Sequence, residues 1–198
     1  KKFYGRKSEV IFPPVDTDNF SLCEDKEDYY VTCCRLVPYK KVGLIVEAFK
    51  DMQDKRLLVV GDGPEFKAIE ATASSNVTML GYLDYQELIG YMQRAKAFIY
   101  AAEEDFGIVP VEAQACGTPV IGFGKGGLLD TVIDGVTGIH FHEQSTSAII
   151  EAVSKFEVTK TLMSAKEISC HAKRFSRSRF ESELKESIEN YIEVTSVD

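Results

Sequence analysis

Short, almost uninterrupted apolar runs recur at regular intervals along this chain, and they constrain its fold more than any other feature. They fall at residues 29–34, 56–60, 77–80, 97–100 and 119–122, with a shorter one at 138–141. Apolar runs of this length without polar alternation suit strands covered on both faces. The intervening stretches carry helical periodicity. Residues 41–50 place Leu44, Ile45, Ala48 and Phe49 on one face, residues 65–73 follow Pro64, and residues 84–94 open with the capping-box pair Asp84 and Glu87. Repeated strand–helix–strand units predict an α/β fold built on a doubly wound parallel sheet with right-handed crossovers. The C-terminal third changes character: residues 145–156, 160–173 and 176–194 each read as helix, and the last aligns Phe180, Leu184, Ile188 and Ile192 in one stripe. Residues 1–28 read as strand and turn, because Pro13-Pro14 opposes a long helix. The strand-like alternation at Lys1-Lys2-Phe3 suggests an excised piece of a longer protein.

Composition narrows the function classes. A chain of 198 residues that is 44% hydrophobic supports one globular domain with a full core. Its net charge of −8 opposes a nucleic-acid-binding surface but leaves room for an anionic small ligand in a local basic pocket. No apolar run approaches the roughly 20 residues that span a bilayer. The five cysteines form no C-x-x-C pair. Cys33 and Cys34, on one strand, point to opposite faces and cannot close a metal site together. They read as small buried hydrophobes in a reducing compartment.

In an open parallel sheet, ligands bind beyond the carboxyl ends of the strands, so the residues that follow each run are the candidates. After the first come Arg35 and Lys40, a planar fork and a point charge suited to a diphosphate, or ordinary loop charges. After the second comes Gly61-Asp62-Gly63-Pro64, a tight turn that permits close backbone approach but lacks the full dinucleotide fingerprint. After the third come Gly81 and Tyr82, able to line a base pocket or simply to pack. The fourth leads into Glu103-Glu104-Asp105-Phe106-Gly107-Ile108, with Pro110 and Glu112 just beyond. Pro110 places a helix start there, whose free N–H groups and dipole favour phosphate. Glu112 would then accept ribose hydroxyls and Glu104 those of a sugar. The fifth leads into Gly122-Phe123-Gly124-Lys125-Gly126-Gly127, able to cradle anionic oxygens or to turn flexibly. His140 and His142 lack a third ligand at suggestive spacing, so no metal is expected, and His171 reads as solvated on a charged helix.

Taken in order, Arg-Leu-Val-Pro-x-Lys, Gly-Asp-Gly-Pro, Glu104-x-Phe-Gly-Ile-x-x-x-Glu112-Ala-x-Ala-Cys-Gly-Thr-Pro-Val-Ile, Gly-Gly-Leu-Leu-Asp and Asp134-Gly-Val-Thr-Gly138 resemble the group 1 family of retaining GT-B glycosyltransferases over residues 10–195. The resemblance implies a Rossmann-like sheet with C-terminal helices, one half of a GT-B fold, with residues 1–198 as the nucleotide-sugar-binding C-terminal domain. It implies that Arg35 and Lys40 neutralise the donor diphosphate and that Glu104 and Glu112 are the two glutamates of an E-x7-E motif. Glu104 would contact the donor sugar and Glu112 the ribose. The backbone of Phe106, Gly107 and Ile108 would hold sugar hydroxyls and phosphate, Gly61 would let the donor lie against the sheet, and Gly81 and Tyr82 would meet the base. Asp130 stands where the family often has Glu, Leu129 where it has Pro and Asp105 where it has Gly, changes that affect loop shape. The implied activity is a cytoplasmic, metal-independent retaining hexosyl transfer, with GDP-mannose the favoured donor. The alternatives are a UDP-sugar-dependent synthase or a non-catalytic nucleotide-binding module. The implied partners are an N-terminal acceptor domain outside this chain and an acceptor sugar, lipid-linked sugar or other hydroxyl. Contact with the inner face of a membrane would pass through that missing half, and residues 1–198 alone would not transfer sugar.

Overall fold

The computed structural model describes residue 5 and residues 8–195, with side chains through Ile192. Six strands form one parallel sheet: β1 (Tyr30–Cys33), β2 (Leu57–Val60), β3 (Val77–Gly81), β4 (Ala97–Tyr100), β5 (Val120–Phe123) and β6 (Gly138–Phe141). Their order across the sheet is β3-β2-β1-β4-β5-β6, the doubly wound order of dinucleotide-binding folds. The sequence runs mark all six to within a residue or two at each end. Continuous apolarity is required because successive residues of each strand enter different cores. Tyr30, Val59, Ile99 and Ile121 join one core, and Val31, Leu58, Phe98 and Val120 the other. Cys34 and Cys33 divide between the two in the same way, and all five cysteines are free.

Helices cover both faces. On the first lie α1 (Val42–Lys50), α2 (Phe66–Glu70) and, later in the chain, a long helix over Thr146–Thr159. On the second lie α3 (Tyr85–Arg94) and α4 (Ile108–Ala115), with α5 (Leu128–Thr131) beneath β5. The long helix is thus α6, followed by α7 (Ala165–Ala172) and α8 (Arg177–Thr195). The capping box predicted at Asp84 is present: its side chain accepts from the Glu87 N–H, and Glu87 accepts from the Asp84 N–H. The element expected over residues 65–73 is shorter: Phe66–Glu70 coil, and the chain then leaves the helix through a turn in which the Thr72 and Ala73 N–H groups donate to the Ile69 and Glu70 carbonyls, three residues back.

Two expectations are corrected. Residues 160–173 are not one helix: the chain extends at Met163, and the Ser164 side chain accepts from the Glu167 N–H to start α7 afresh. A serine that captures a downstream N–H competes with helix continuation. The described residues before β1 form no strand, only an isolated bridge from Val15 to Ser176. The alternation at Lys1-Lys2-Phe3 lies outside the described residues. The apolar stripe of α8 is present and largely open, with Leu184 39%, Ile188 51% and Ile192 55% exposed.

Candidate active site

Strand order reverses between β1 and β4, so the connections leaving their carboxyl ends diverge and open a crevice. From β1 the chain runs through Arg35 to a 3₁₀ turn, Pro38–Lys40, which carries Lys40 over the sheet edge. From β4 it runs through Glu103, Glu104 and Asp105 to Gly107, which enters α4 with a positive φ of 82° and no side-chain cap. Lys40, Glu103, Glu104, Phe106, Gly107 and Ile108 thereby line one cleft of about 570 Å³. Inside it the Lys40 ammonium pairs with Glu104 Oε1, and the Tyr100 hydroxyl donates to Glu104 Oε2. The α4 N-terminus opens on this cleft at Gly107, Ile108 and Val109, a positive dipole end beside a lysine.

A neighbouring cleft of about 510 Å³ lies between the ends of β1 and β2, lined by Cys33, Cys34, Arg35, Gly61, Gly63 and Tyr82 among others. Tyr82 is 82% exposed, so its ring is an open platform and not core packing. Gly61 is fixed by backbone proximity: a Cβ there would stand 2.0 Å from the Cys34 carbonyl oxygen. Its N–H donates to the Gly81 carbonyl at 2.7 Å, which places Gly81 behind the cleft wall. Cys34 joins the clefts electrically. Burial pushes its thiol up to about 11, with Lys40 pulling down and Glu104 pushing up. The sequence grouped Arg35 with Lys40; the structure sets exposed Arg35 in the second cleft and Lys40 in the first.

Glu112 lies one turn into α4 and lines neither cleft. It stands near Cys33, whose thiol burial pushes up to about 12 with Glu112 adding to the shift. Burial, reinforced by Asp16, raises the Glu112 carboxyl from 4.5 to about 7. The sign follows from proton binding. Between these values the folded protein holds the proton more tightly than the unfolded chain, so stability falls as pH rises from about 4.5 through 7 and then levels. Glu112→Gln removes that ionisation. The variant is expected to match the native protein near pH 4 and to exceed its stability at pH 8 by about 1–3 kcal/mol. Urea unfolding at the two pH values checks this; a variant less stable at pH 8 contradicts it.

Several features reported by sequence take other roles. In the loop ending in Gly126-Gly127, the Gly124 and Lys125 N–H groups donate to the Phe141 and Phe123 carbonyls at 2.8 Å and 2.7 Å. The Gly127 N–H is spent on the Glu104 carbonyl at 2.7 Å, and the loop braces the segment that carries Glu104. Glu103 is answered by Lys125 at 3.1 Å. His171 is half-buried rather than solvated, with Nε2 3.2 Å from the Thr131 carbonyl, and burial lowers its pKa. His140 sits half-buried below Gly124, its pKa also lowered by burial. Sequence reading missed Tyr100, which looked like one more strand residue; its position four before Glu104 was the available signal. A larger hollow of about 670 Å³ lies at the opposite end of the sheet, where the lysines already have partners. There Lys96 meets Asp28 and Glu157, Lys160 meets Glu157, and Lys26 caps the Gln93 carbonyl at 2.7 Å and Thr118 Oγ1 at 2.8 Å.

With this geometry in hand, the sequence matches the model of the family described as glycosyl transferases group 1 over residues 16–173. The chain belongs to that family. The group 1 match takes in the whole crevice from Arg35 to Glu112 and the Gly126-Gly127 brace. A GDP-mannose-dependent α-(1-6)-phosphatidylinositol monomannoside mannosyltransferase of Mycolicibacterium smegmatis is 31% identical over 174 residues, 73% of this chain and 46% of that enzyme. The group 1 chain thus spans about half the length of the curated relatives it matches. Sucrose-phosphate synthase from Thermosynechococcus elongatus superposes on 97% of this chain and 54% of its own with a TM-score of 0.80 at 23% identity. Anabaena HepE in complex with UDP-glucose superposes on 92% of this chain and 57% of its own with a TM-score of 0.78 at 20% identity. These two show a shared GT-B glycosyltransferase fold. Among the described residues of this group 1 chain, no helix is long and apolar enough to cross a membrane.

Proposed function

We propose that this chain is the donor-binding domain of a retaining, metal-independent hexosyltransferase that takes a nucleoside-diphosphate sugar and delivers the sugar to an acceptor hydroxyl. The observation that carries this is the meeting of Lys40, Glu104 and the uncapped start of α4 in one cleft at the sheet's switch point. A leaving diphosphate needs cationic and dipolar stabilisation aimed at its oxygens, and Lys40, Arg35 and the α4 N–H groups supply it without a metal. Glu104, the first glutamate of the E-x7-E pair, accepts from donor-sugar hydroxyls, and the backbone at Phe106, Gly107 and Ile108 lies beside it. Glu112, the second, accepts from the ribose. The base lies over the cleft of Gly61 and Tyr82, backed by Gly81. The acceptor is held by an N-terminal domain beyond this chain.

GDP-mannose is the proposed donor, supported by the mannosyltransferase relative at 31% identity. Titration of the full-length protein with GDP-mannose and UDP-glucose tests it: tighter binding of GDP-mannose by about tenfold or more is expected, and equal, weak binding of both overturns the choice of donor. Unaltered transfer by Arg35→Ala and Glu104→Ala variants would reduce the chain to a nucleotide-binding module.

A further inference from the structure

Tyr100 closes β4 with its ring 4% exposed, stacked on Phe98 at 6.1 Å and 28°. Its hydroxyl holds one oxygen of the Glu104 carboxylate while Lys40 holds the other. The two partners differ in freedom. Tyr100 is buried at the end of a buried strand, with its ring packed on Phe98. Lys40 hangs on a flexible four-carbon stem, with its ammonium also donating to the Tyr100 hydroxyl at 3.4 Å and lying 5.1 Å from the Tyr39 ring centre. Burial, strengthened by the bond to Glu104, pushes the Tyr100 hydroxyl far above the usual phenol range, so it stays a donor at every working pH.

We propose that Tyr100 is the positioning residue of Glu104, fixing one carboxylate oxygen while Lys40 exchanges the other for the donor diphosphate. This rests on the donor reading above. In the crevice Lys40 and Glu104 satisfy each other. A bare nucleoside diphosphate competes with Glu104 for Lys40 and returns nothing to the carboxylate. A complete nucleotide sugar takes Lys40 with its phosphates and gives Glu104 sugar hydroxyls in exchange. Because Tyr100 has kept the carboxylate aimed, that second contact forms without reordering it. The clasp therefore discriminates donor from spent nucleotide at one pair of side chains.

Calorimetric titration of the full-length protein with GDP, UDP, GDP-mannose and UDP-glucose tests this. Tyr100→Phe keeps the ring and loses the hydroxyl. It is expected to weaken binding of the nucleotide sugar that the native protein takes by about tenfold, while its nucleoside diphosphate changes by less than about twofold. Glu104→Gln frees Lys40 and is expected to tighten the bare diphosphate by about fivefold. A merely structural Tyr100 would shift both ligands together, so equal loss of the two, or no change in either, overturns the proposal. So does a Glu104→Gln variant that binds the diphosphate no better, a result that stands even if Tyr100→Phe fails to fold. A native protein that binds none of the four ligands is a separate outcome, and it removes the donor reading itself.

Discussion

Lys40→Met in the full-length protein is expected to lower kcat/KM for sugar transfer by about 10²–10³-fold, the range found when one preorganised charge-stabilising donor is removed from an active site. Two effects add. The diphosphate loses its nearest cation, and Glu104 is left facing it with an uncompensated negative charge. The magnitude separates this from a folding defect. The Lys40 and Glu104 side chains are 13% and 24% exposed, so loss of the pair also bears on stability, and urea unfolding reads that separately from transfer. A variant with native-like urea unfolding and a hundredfold loss of transfer fits; a loss below about fivefold moves diphosphate binding to Arg35 and the α4 N-terminus.

Much of the fold was legible because a parallel sheet covered on both faces leaves a plain signature. Ala97–Tyr100 was readable to the residue, since nothing polar interrupts a strand buried on both faces, and Gly138–Phe141 was readable too, with His140 alone breaking its apolar run. The capping box at Asp84 was legible for a different reason: it is a local contract between residues three apart. The break at Met163 and Ser164 was hidden because periodicity runs on through residues 160–173 while a serine side chain quietly restarts the helix. The segment before β1 was misread because its structure comes from distant partners, as when the Val15 N–H donates to the Phe175 carbonyl at 2.8 Å.

The candidate site divides along the same line. Lys40, Glu104 and the glycine entering α4 were legible because each follows a strand whose end must face a ligand in this architecture. Tyr100 was not, since its role depends on the loop turning Glu104 back over the strand that it leaves. The raised pKa of Glu112 was equally invisible, because it comes from burial in the packed fold, reinforced by Asp16 brought across from a segment with no regular structure. Glu104 and Glu112 resemble a catalytic acid and base on paper. In space Glu104 is paired with Lys40 inside the first cleft while Glu112 lies one turn into α4 and lines neither cleft, so the two do not face each other as a dyad.

Gly127→Ala is expected to destabilise the protein by about 2–4 kcal/mol and to abolish measurable donor binding at temperatures where the variant remains folded. A Cβ at this position would stand 2.3 Å from the Phe106 Cα, 2.4 Å from the Asp105 carbonyl oxygen and 2.5 Å from the Phe106 nitrogen. All three are backbone atoms, so no side chain can rotate away and one of the two loops must retreat. The loop that retreats carries Glu104 and leads into α4, while its partner holds it through the Gly127 N–H to Glu104 carbonyl bond. A displacement of about 1 Å there removes the aim of the carboxylate and of the helix N-terminus together. Gly43→Ala supplies the contrast. Gly43 is the second residue of α1, where a Cβ would meet only Ile69 Cγ1 at 3.8 Å, so that substitution is expected to stabilise by about 0.5 kcal/mol and leave binding intact. Thermal unfolding and nucleotide titration of the two variants side by side decide the matter. If Gly127→Ala binds donor like Gly43→Ala, the second glycine loop does not brace the site.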